Sequence, residues 1–424
     1  MNFNKYYLNE NNKFYLLFFL FASSFLVRIP VIFFLGDINI DNEWNFLVGY
    51  LVDYKKIYSI FPSLVNSFLR ESSLELLNYD SFFAPNVFMP PLYAFYLYLF
   101  KLFILNNDLY VLTVLFSQNF LSSFSVVIFY LISKNFFSTK ISILGSLIFA
   151  FFPLHVYATA QASSATLQSF LTVIFFYYFF EITKKNNLSN IIFFSFTSGL
   201  LILLRGEFIA FFLFSILYLM VFLKIKIKNI LIIIFFTIIT ISPYLVRNLI
   251  LLDKITITKS IGYNLWKGNN PSSTVEGNSK FDLDLRKKIS EVPNDKYYDI
   301  NADKVFQDEA LKNIKNNPNK YLNLYIKKFF SYILIDLNSS YPHYYNPFHY
   351  VPVLLIGITS IIGIILSDKK SSKMNYLILF FIGNITIISF FFILPRYALA
   401  VLPLQILFSN ILFKYIRNHV LKIK

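Results

Sequence analysis

Residues 36–44 read GDINIDNEW and set three acids, Asp37, Asp41 and Glu43, directly after an apolar run from Phe14 to Leu35. Carboxylates at such an edge have two ordinary uses. They can end one helix and open the next, Asp41 as the cap and Glu43 as the complement of a positive helix terminus. They can also take a proton from an attacking hydroxyl. Asp41 and Glu43 are two positions apart, so on a regular helix their side chains diverge by about 200° and converge only where the chain is extended or turning. No histidine accompanies the pair, which therefore makes no strong metal signature, and a divalent metal ion stays an open possibility.

The cations form the second set. An ionisable group near the bilayer centre costs about 2.5–3.5 kcal/mol even on the lenient insertion scale, and those inside or beside apolar runs are few: Arg28, Arg205, Glu207, Arg247 and Arg396. Arg205 and Glu207 stand in LLRGEFIAFF. They read either as an ion pair at a break opened by Gly206 or as an arginine facing a wet cavity, where its planar fork holds an anion. Arg247 in SPYLVRNLI and Arg396 in LPRYALAVLP fall near the ends of their runs, and singly each reads as an interfacial snorkel. Together with Lys267 in GYNLWKGNNP they give an outward-facing site several cations, which suits a phosphate.

The elements that must position these groups are written in the composition. Of 424 residues 56% are hydrophobic and 14% charged, where a soluble chain carries about 25% charged residues. Several runs approach the roughly 20 residues that span a bilayer. The chain reads as an all-α polytopic membrane protein with the bilayer as its solvent. The first run is longer than a signal-peptide core and lacks a small-x-small cleavage site, so it is expected to remain as a span. The absence of cysteine excludes disulfides, thiolate metal sites and cysteine nucleophiles. A net charge of +15 would suggest nucleic acid in a soluble protein. Here the Lys and Arg are scattered over short loops and the C-terminus, as the positive-inside rule predicts, and no nucleic-acid partner is expected.

Along the chain, residues 36–85 form a polar first loop holding EWNFLVGYLVDY and LVNSFLRESSLELL. In the former, Trp44, Leu47, Val48 and Leu51 fall on one helical face, which predicts an amphipathic helix in the interface. Apolar runs follow at 87–105, 109–132, 141–158, 164–182, 190–204, 207–223 and 229–249. Residues 250–325 turn polar and charged, and runs at 346–366, 375–394 and 396–416 precede a basic tail. The expected organisation is a membrane module 1–249, an outer-face region 250–325, and C-terminal helices 326–424. If both polar regions share the outer face, one run before residue 250 cannot cross independently. The pair broken by LRGE is the first candidate for a re-entrant or fused element, and the pair around FPLHVYATAQ the second.

The ordered set of acids in the first outer loop, PPLY, LLRGE, SPYLVRN, GYNLWKGNNP and PRYALAVLP resembles the GT-C superfold of membrane glycosyltransferases over residues 14–410. The likeness is to the branch of the protein mannosyltransferases, aminoarabinose transferases and lipopolysaccharide-core galacturonosyltransferases (the glycosyltransferase family 39 type). It implies a GT-C bundle of about 10–12 membrane segments with outer-face amphipathic helices. It also implies a sugar donor on polyprenyl phosphate, used at the periplasmic face of a bacterial inner membrane, and a lipid, glycan or protein acceptor. Inverting transfer would then use Asp41 as base, with Glu43 sharing that role or orienting the acceptor. Arg205, Arg247, Lys267 and Arg396 would hold the donor phosphate. Some relatives use a divalent metal near the acidic loop. Two other readings share the spans and cations: a polysaccharide polymerase or ligase of another membrane class, and a transporter or flippase for lipid-linked glycans, although the related halves expected of many transporters are missing.

Overall fold

A polypeptide in hydrocarbon must satisfy its own backbone hydrogen bonds, and an open chain does so as helices. The computed structural model describes residues 10–59, 84–185, 187–339, 347–368 and 370–420, and among these no strand forms. The segment LVNSFLRESSLELL lies outside the described residues. In chain order, α1 (Glu10–Leu35) is followed by α2 (Asn42–Tyr54), α3 (Pro91–Lys101), α4 (Asn107–Ser133), α5 (Thr139–Phe151), α6 (Pro153–Ala158), α7 (Ser164–Lys184), α8 (Leu188–Leu204), α9 (Phe208–Val221) and α10 (Ile227–Leu252). The polar region folds as α11 (Ile261–Gly268), α12 (Leu283–Ser290) and α13 (Tyr298–Asn316). Then α14 (Pro318–Ile333) leads to α15 (Pro347–Ile365), α16 (Ser372–Ile388), a 3-10 turn at Pro395–Ala400 and α17 (Leu402–Tyr415). Among the described residues, α1, α4, α7, α10 and α15 are long and apolar enough to cross a membrane by length and composition, and α5, α8, α9 and α16 are shorter apolar helices.

Ring contacts give the helix directions. Phe33 of α1 packs on Phe116 of α4 with ring centroids 5.9 Å apart, and Phe21 packs on Phe120 at 5.4 Å. The two helices are antiparallel, so α4 begins at the end where α1 finishes. Between them α3 has 11 residues, about 16 Å at 1.5 Å per residue, and it stays at that end. Its Tyr93 donates to Gln118 Oε1 at 3.1 Å and its Tyr96 bonds Ser117, both in the first half of α4. Among the runs before residue 250, the run at 87–105 therefore stays at one end of the bundle. Each of the two pairs singled out from the sequence folds as separate helices. Phe208 of α9 lies 5.1 Å from Phe175 of α7, and Tyr218 lies 5.1 Å from Tyr376, which stacks on Phe179 one turn further along α7 at 3.7 Å. Thus α9 runs parallel to α7, and α8 and α9 form a hairpin turning at Arg205–Glu207. The FPLHVYATAQ stretch holds α6, a short link between two separate helices.

The interior mixes close backbone approach with bonded polar groups. A Cβ on Gly363 of α15 would lie 2.0 Å from the Phe408 carbonyl of α17, the contact that small residues permit between membrane helices. Arg28 is fully buried and donates to Ser24 O at 2.7 Å, Ala150 O at 3.0 Å and Ser122 Oγ at 3.2 Å, with His155 Nδ1 at 3.0 Å. Ala150 lies in the last turn of α5, where carbonyls lack helical partners. Arg28 is thus a clamp joining α1, α4, α5 and α6.

The polar region has its own core. Trp266, Phe281, Leu285, Ile289, Tyr298 and Phe306 pack together and against Ala84 and Phe88. Asp299 of α13 accepts from the amides of Val87 at 3.0 Å and Phe88 at 3.2 Å and from Ser59 Oγ at 2.5 Å. The lobe is thereby fastened to the segment that leads into α3.

Candidate active site

The first acid of GDINIDNEW is structural. Asp37 receives the Ala162 amide on Oδ2 at 2.7 Å and gives its own amide to Ala160 O at 2.8 Å, which fixes the chain at the exit of α1. Five residues later α2 begins as the pattern predicts, with Leu47, Val48 and Leu51 buried and Trp44 set edge-on against Tyr93 at 4.9 Å. Asp41 occupies the cap position. Its backbone carbonyl takes the amides of Trp44 and Asn45 at 3.0 Å, while its carboxylate makes no capping hydrogen bond. The side chain is thus not spent on the helix.

Asp41 and Glu43 line a cavity of about 810 Å³ that Arg205, Glu207, Tyr263, Lys267, Glu276 and Arg396 also line. It continues between α7, α9 and α16 past Thr172, Phe208, Phe211, Phe380 and Ile388, so one space joins a charged mouth to an apolar interior. Burial pushes the Glu43 carboxyl up and Asp41 adds to this, against the pull of Lys267 and Arg396. Glu43 therefore lies in the fields of both its acidic neighbour and the two cations. Burial lowers the Lys267 ammonium, Glu43 opposes this, and Arg396 adds to it. Two cations at one end of a half-buried space repel each other and favour an anion between them.

Each cation reaches the cavity by a different element. Arg205 caps α8 and gives Nε to Gln168 Oε1 at 3.1 Å and Nη2 to Ser164 Oγ at 3.5 Å, with its guanidinium 5.4 Å from the centre of the Tyr397 ring. Among the described residues no ion pair joins it to Glu207. Lys267 ends α11, its Nζ 4.4 Å from the centre of the Phe392 ring. Arg396 comes from the 3-10 turn. Arg247 is a correction to the expected phosphate set, because it does not line the cavity. Its guanidinium donates to Asn86 O at 2.7 Å, Ile57 O at 2.7 Å and Asn248 Oδ1 at 2.6 Å and so stitches α10 to the chain between α2 and α3.

Sequence reasoning did not single out Tyr263, Glu276, Tyr332 or Tyr397 as cavity residues. Tyr263 lies in the quoted GYNLWKGNNP, one helical turn before Lys267, and that spacing was the available signal; Glu276 is one acid among many in a polar stretch. Burial and Glu43 raise the Tyr263 hydroxyl, so it stays a neutral donor. Among the described residues no group of three His, Cys, Asp or Glu is placed to hold a metal ion.

Comparison with solved structures bears on the architecture. The oligosaccharyltransferase of Archaeoglobus fulgidus in its apo form aligns with TM-score 0.55 and 10% identity over 99% of this chain and 52% of its own. The fold is of the GT-C type. The same archaeal enzyme in complex with Zn and sulfate aligns with TM-score 0.53 and 12% identity over 96% of this chain and 49% of its own. Archaeal AglB in complex with an inhibitory peptide and a dolichol-phosphate gives TM-score 0.53 and 11% identity over 97% and 51%. The chain spans about half the length of those structures. No family model and no curated protein matches its sequence.

Proposed function

We propose that this protein is an integral membrane glycosyltransferase. It moves a sugar from a polyprenyl-phosphate donor to a lipid, glycan or protein acceptor at the periplasmic face of a bacterial inner membrane. The observation that carries this reading is the continuity of the cavity: four carboxylates, Asp41, Glu43, Glu207 and Glu276, and three cations line it together with an apolar interior between α7, α9 and α16 that suits a lipid chain. The archaeal structures bound to dolichol-phosphate and peptide are in accord with it.

In the reaction the acceptor hydroxyl forms a bond to the anomeric carbon as the bond from that carbon to the phosphate oxygen breaks. The hydroxyl proton passes to a carboxylate, and the lipid phosphate leaves with the electron pair. Asp41, open to solvent, meets the acceptor. Glu43, on the side of the cations, shares the base role or orients the acceptor. Arg205, Lys267 and Arg396 stabilise the charge that grows on the phosphate. Attack from the face opposite the leaving group inverts the anomeric centre.

The test is transfer of radiolabel from synthetic polyprenyl-phosphate sugars by the purified protein. Label that moves from the lipid to an acceptor supports the reading. Lipid-linked sugar that crosses a vesicle membrane without cleavage would replace it with transport.

A further inference from the structure

Lys328 of α14 has a side chain with 0% exposure, whereas the adjacent Lys327 is exposed. Its ammonium donates to the Gly268 carbonyl at 2.7 Å and to Asn269 Oδ1 at 3.4 Å. No carboxylate pairs with it among the described residues. A buried cation with only neutral acceptors is costly and persists where the surroundings hold it.

Those acceptors belong to the end of α11. The last carbonyls of a helix lack internal partners, and here each has one. Leu265 O takes Asn269 Nδ2 at 2.8 Å and Trp266 O takes the Asn269 amide at 2.9 Å. Lys267 O takes the Asn278 amide at 2.8 Å and Ser273 Oγ at 2.9 Å. These donors come from the loop that follows α11. The donor to Gly268 O comes from α14, whose Tyr332 also bonds Asn384 Oδ1 at 2.8 Å and Tyr397 O at 3.1 Å beside the cavity. A cation at a helix C-terminus is favourably placed against the dipole. The joint leaves no slack, since a Cβ on Gly268 would lie 2.2 Å from the Phe391 carbonyl. Lys267 is the residue immediately before it.

We propose that Lys328 is a positioning residue that clamps the C-terminal carbonyl of α11 to α14 and so fixes Lys267 at the anion end of the cavity. This rests on the reading of Lys267 as a ligand of the donor phosphate.

The experiment compares the purified full-length chain with Lys328→Met, which fills similar volume without a donor, and Lys328→Arg, which keeps cation and donors. The first readout is the rate of amine methylation at Lys267 followed by peptide mass spectrometry, with exposed Lys327 and Lys312 as references. The second is the split of KM for a polyprenyl-phosphate sugar against kcat. Lys328→Met is expected to change Lys267 labelling several-fold at constant reference rates and to raise donor KM about tenfold with a smaller change in kcat. Lys328→Arg is expected to stay near the parental values. Parental labelling of Lys267 in folded Lys328→Met overturns the clamp whatever the activity. If Lys328→Met does not fold, Lys328→Arg decides, and labelling far from parental there overturns it. Altered Lys267 labelling in Lys328→Met, in a protein that transfers no sugar even as the parent, supports the clamp and removes the transferase reading instead.

Discussion

Asp299 of α13 accepts the Val87 amide at 3.0 Å, across 212 positions of sequence. With the Phe88 amide and the Ser59 hydroxyl on the same carboxyl, this contact seats the lobe that carries Tyr263 and Lys267 on the chain that enters α3. Burial pushes the Asp299 carboxyl up to about 6 against the pull of those three donors. The folded state thus favours the protonated acid relative to an unfolded value of about 3.9. Its contribution to stability is full below about pH 4 and is lost as pH rises through 6. Both amides share Oδ2, so Asp299→Asn can keep them but loses the second oxygen that accepts from Ser59, and is expected to cost about 1–3 kcal/mol while removing this pH dependence. Thermal unfolding in detergent between pH 4 and 8 checks both.

Arg205→Lys keeps the charge and loses the planar fork. Since the arginine already spends Nε on Gln168, a lysine cannot hold that bond and a phosphate in the same geometry. Turnover is expected to fall about tenfold or more with folding preserved, as donor phosphate gives up a charge-assisted bond. Parental activity in Arg205→Lys would remove Arg205 from the phosphate set.

Asp41→Asn tests the base. Because the Asp41 carboxylate makes no capping bond, and Asn caps about as well as Asp, stability should hardly move. Turnover should drop roughly 10²-fold if a general base is lost. Equal losses in Asp41→Asn and Glu43→Gln mean a shared role, and a loss at Glu43 alone gives that residue the base.

The pH profile of kcat/KM carries separate information. A Glu43 that must be ionised and whose pKa is raised by burial makes the rate climb nearer neutrality than an ordinary carboxylate, for which the value is about 4.3. A Lys267 lowered by burial makes it decline below an ordinary lysine's value of about 10.4. Glu43→Gln should remove the acid limb, and Lys267→Arg should move the alkaline limb outward. An unshifted acid limb in Glu43→Gln would sink its assignment.

Topology can be read with thiols, because the chain has no cysteine. Asn107→Cys, Ser290→Cys and Ser138→Cys place single thiols at exposed positions. The first two should react with an impermeant reagent in intact cells, and Ser138→Cys only after permeabilisation. Labelling of Ser138→Cys together with Asn107→Cys would mean that α4 does not cross the membrane.

What could be read in advance was what depends on near neighbours. The buried face of α2 follows from the spacing of Leu47, Val48 and Leu51, and prolines such as Pro90 and Pro91 suit the first positions of a helix, where they stand in α3. The brevity of α3 was hidden, since Tyr93, Ala94 and Leu97 are fully buried in protein and such a run looks the same whether protein or lipid surrounds it. Arg247 was hidden for another reason: its carbonyl partners lie 161 and 190 positions away. Lys328 gave no sign at all, because Lys327 and Lys328 are chemically alike and only packing tells which is buried. Asp41, Glu43, Arg205, Lys267 and Arg396 line one cavity, an arrangement only the family resemblance implied, since charge placement alone does not separate these cations from Arg28 and Arg247, which face elsewhere.

The shortness of α3 has a consequence for biosynthesis. Because α1 and α4 are successive segments of opposite direction, the chain between them, residues 36–106, belongs to one side of the membrane, and the proposed function makes that the exported side. With seven acids against four bases and more than about 60 residues, such a loop translocates largely regardless of its charge. Orientation then falls to the flanks, Lys5 before α1 and Lys13 in its first turn, and Lys134 and Lys140 after α4. In the insertion pathway α3 is silent: deleting it would leave every later helix facing as before, whereas deleting α4 would turn the rest of the chain over.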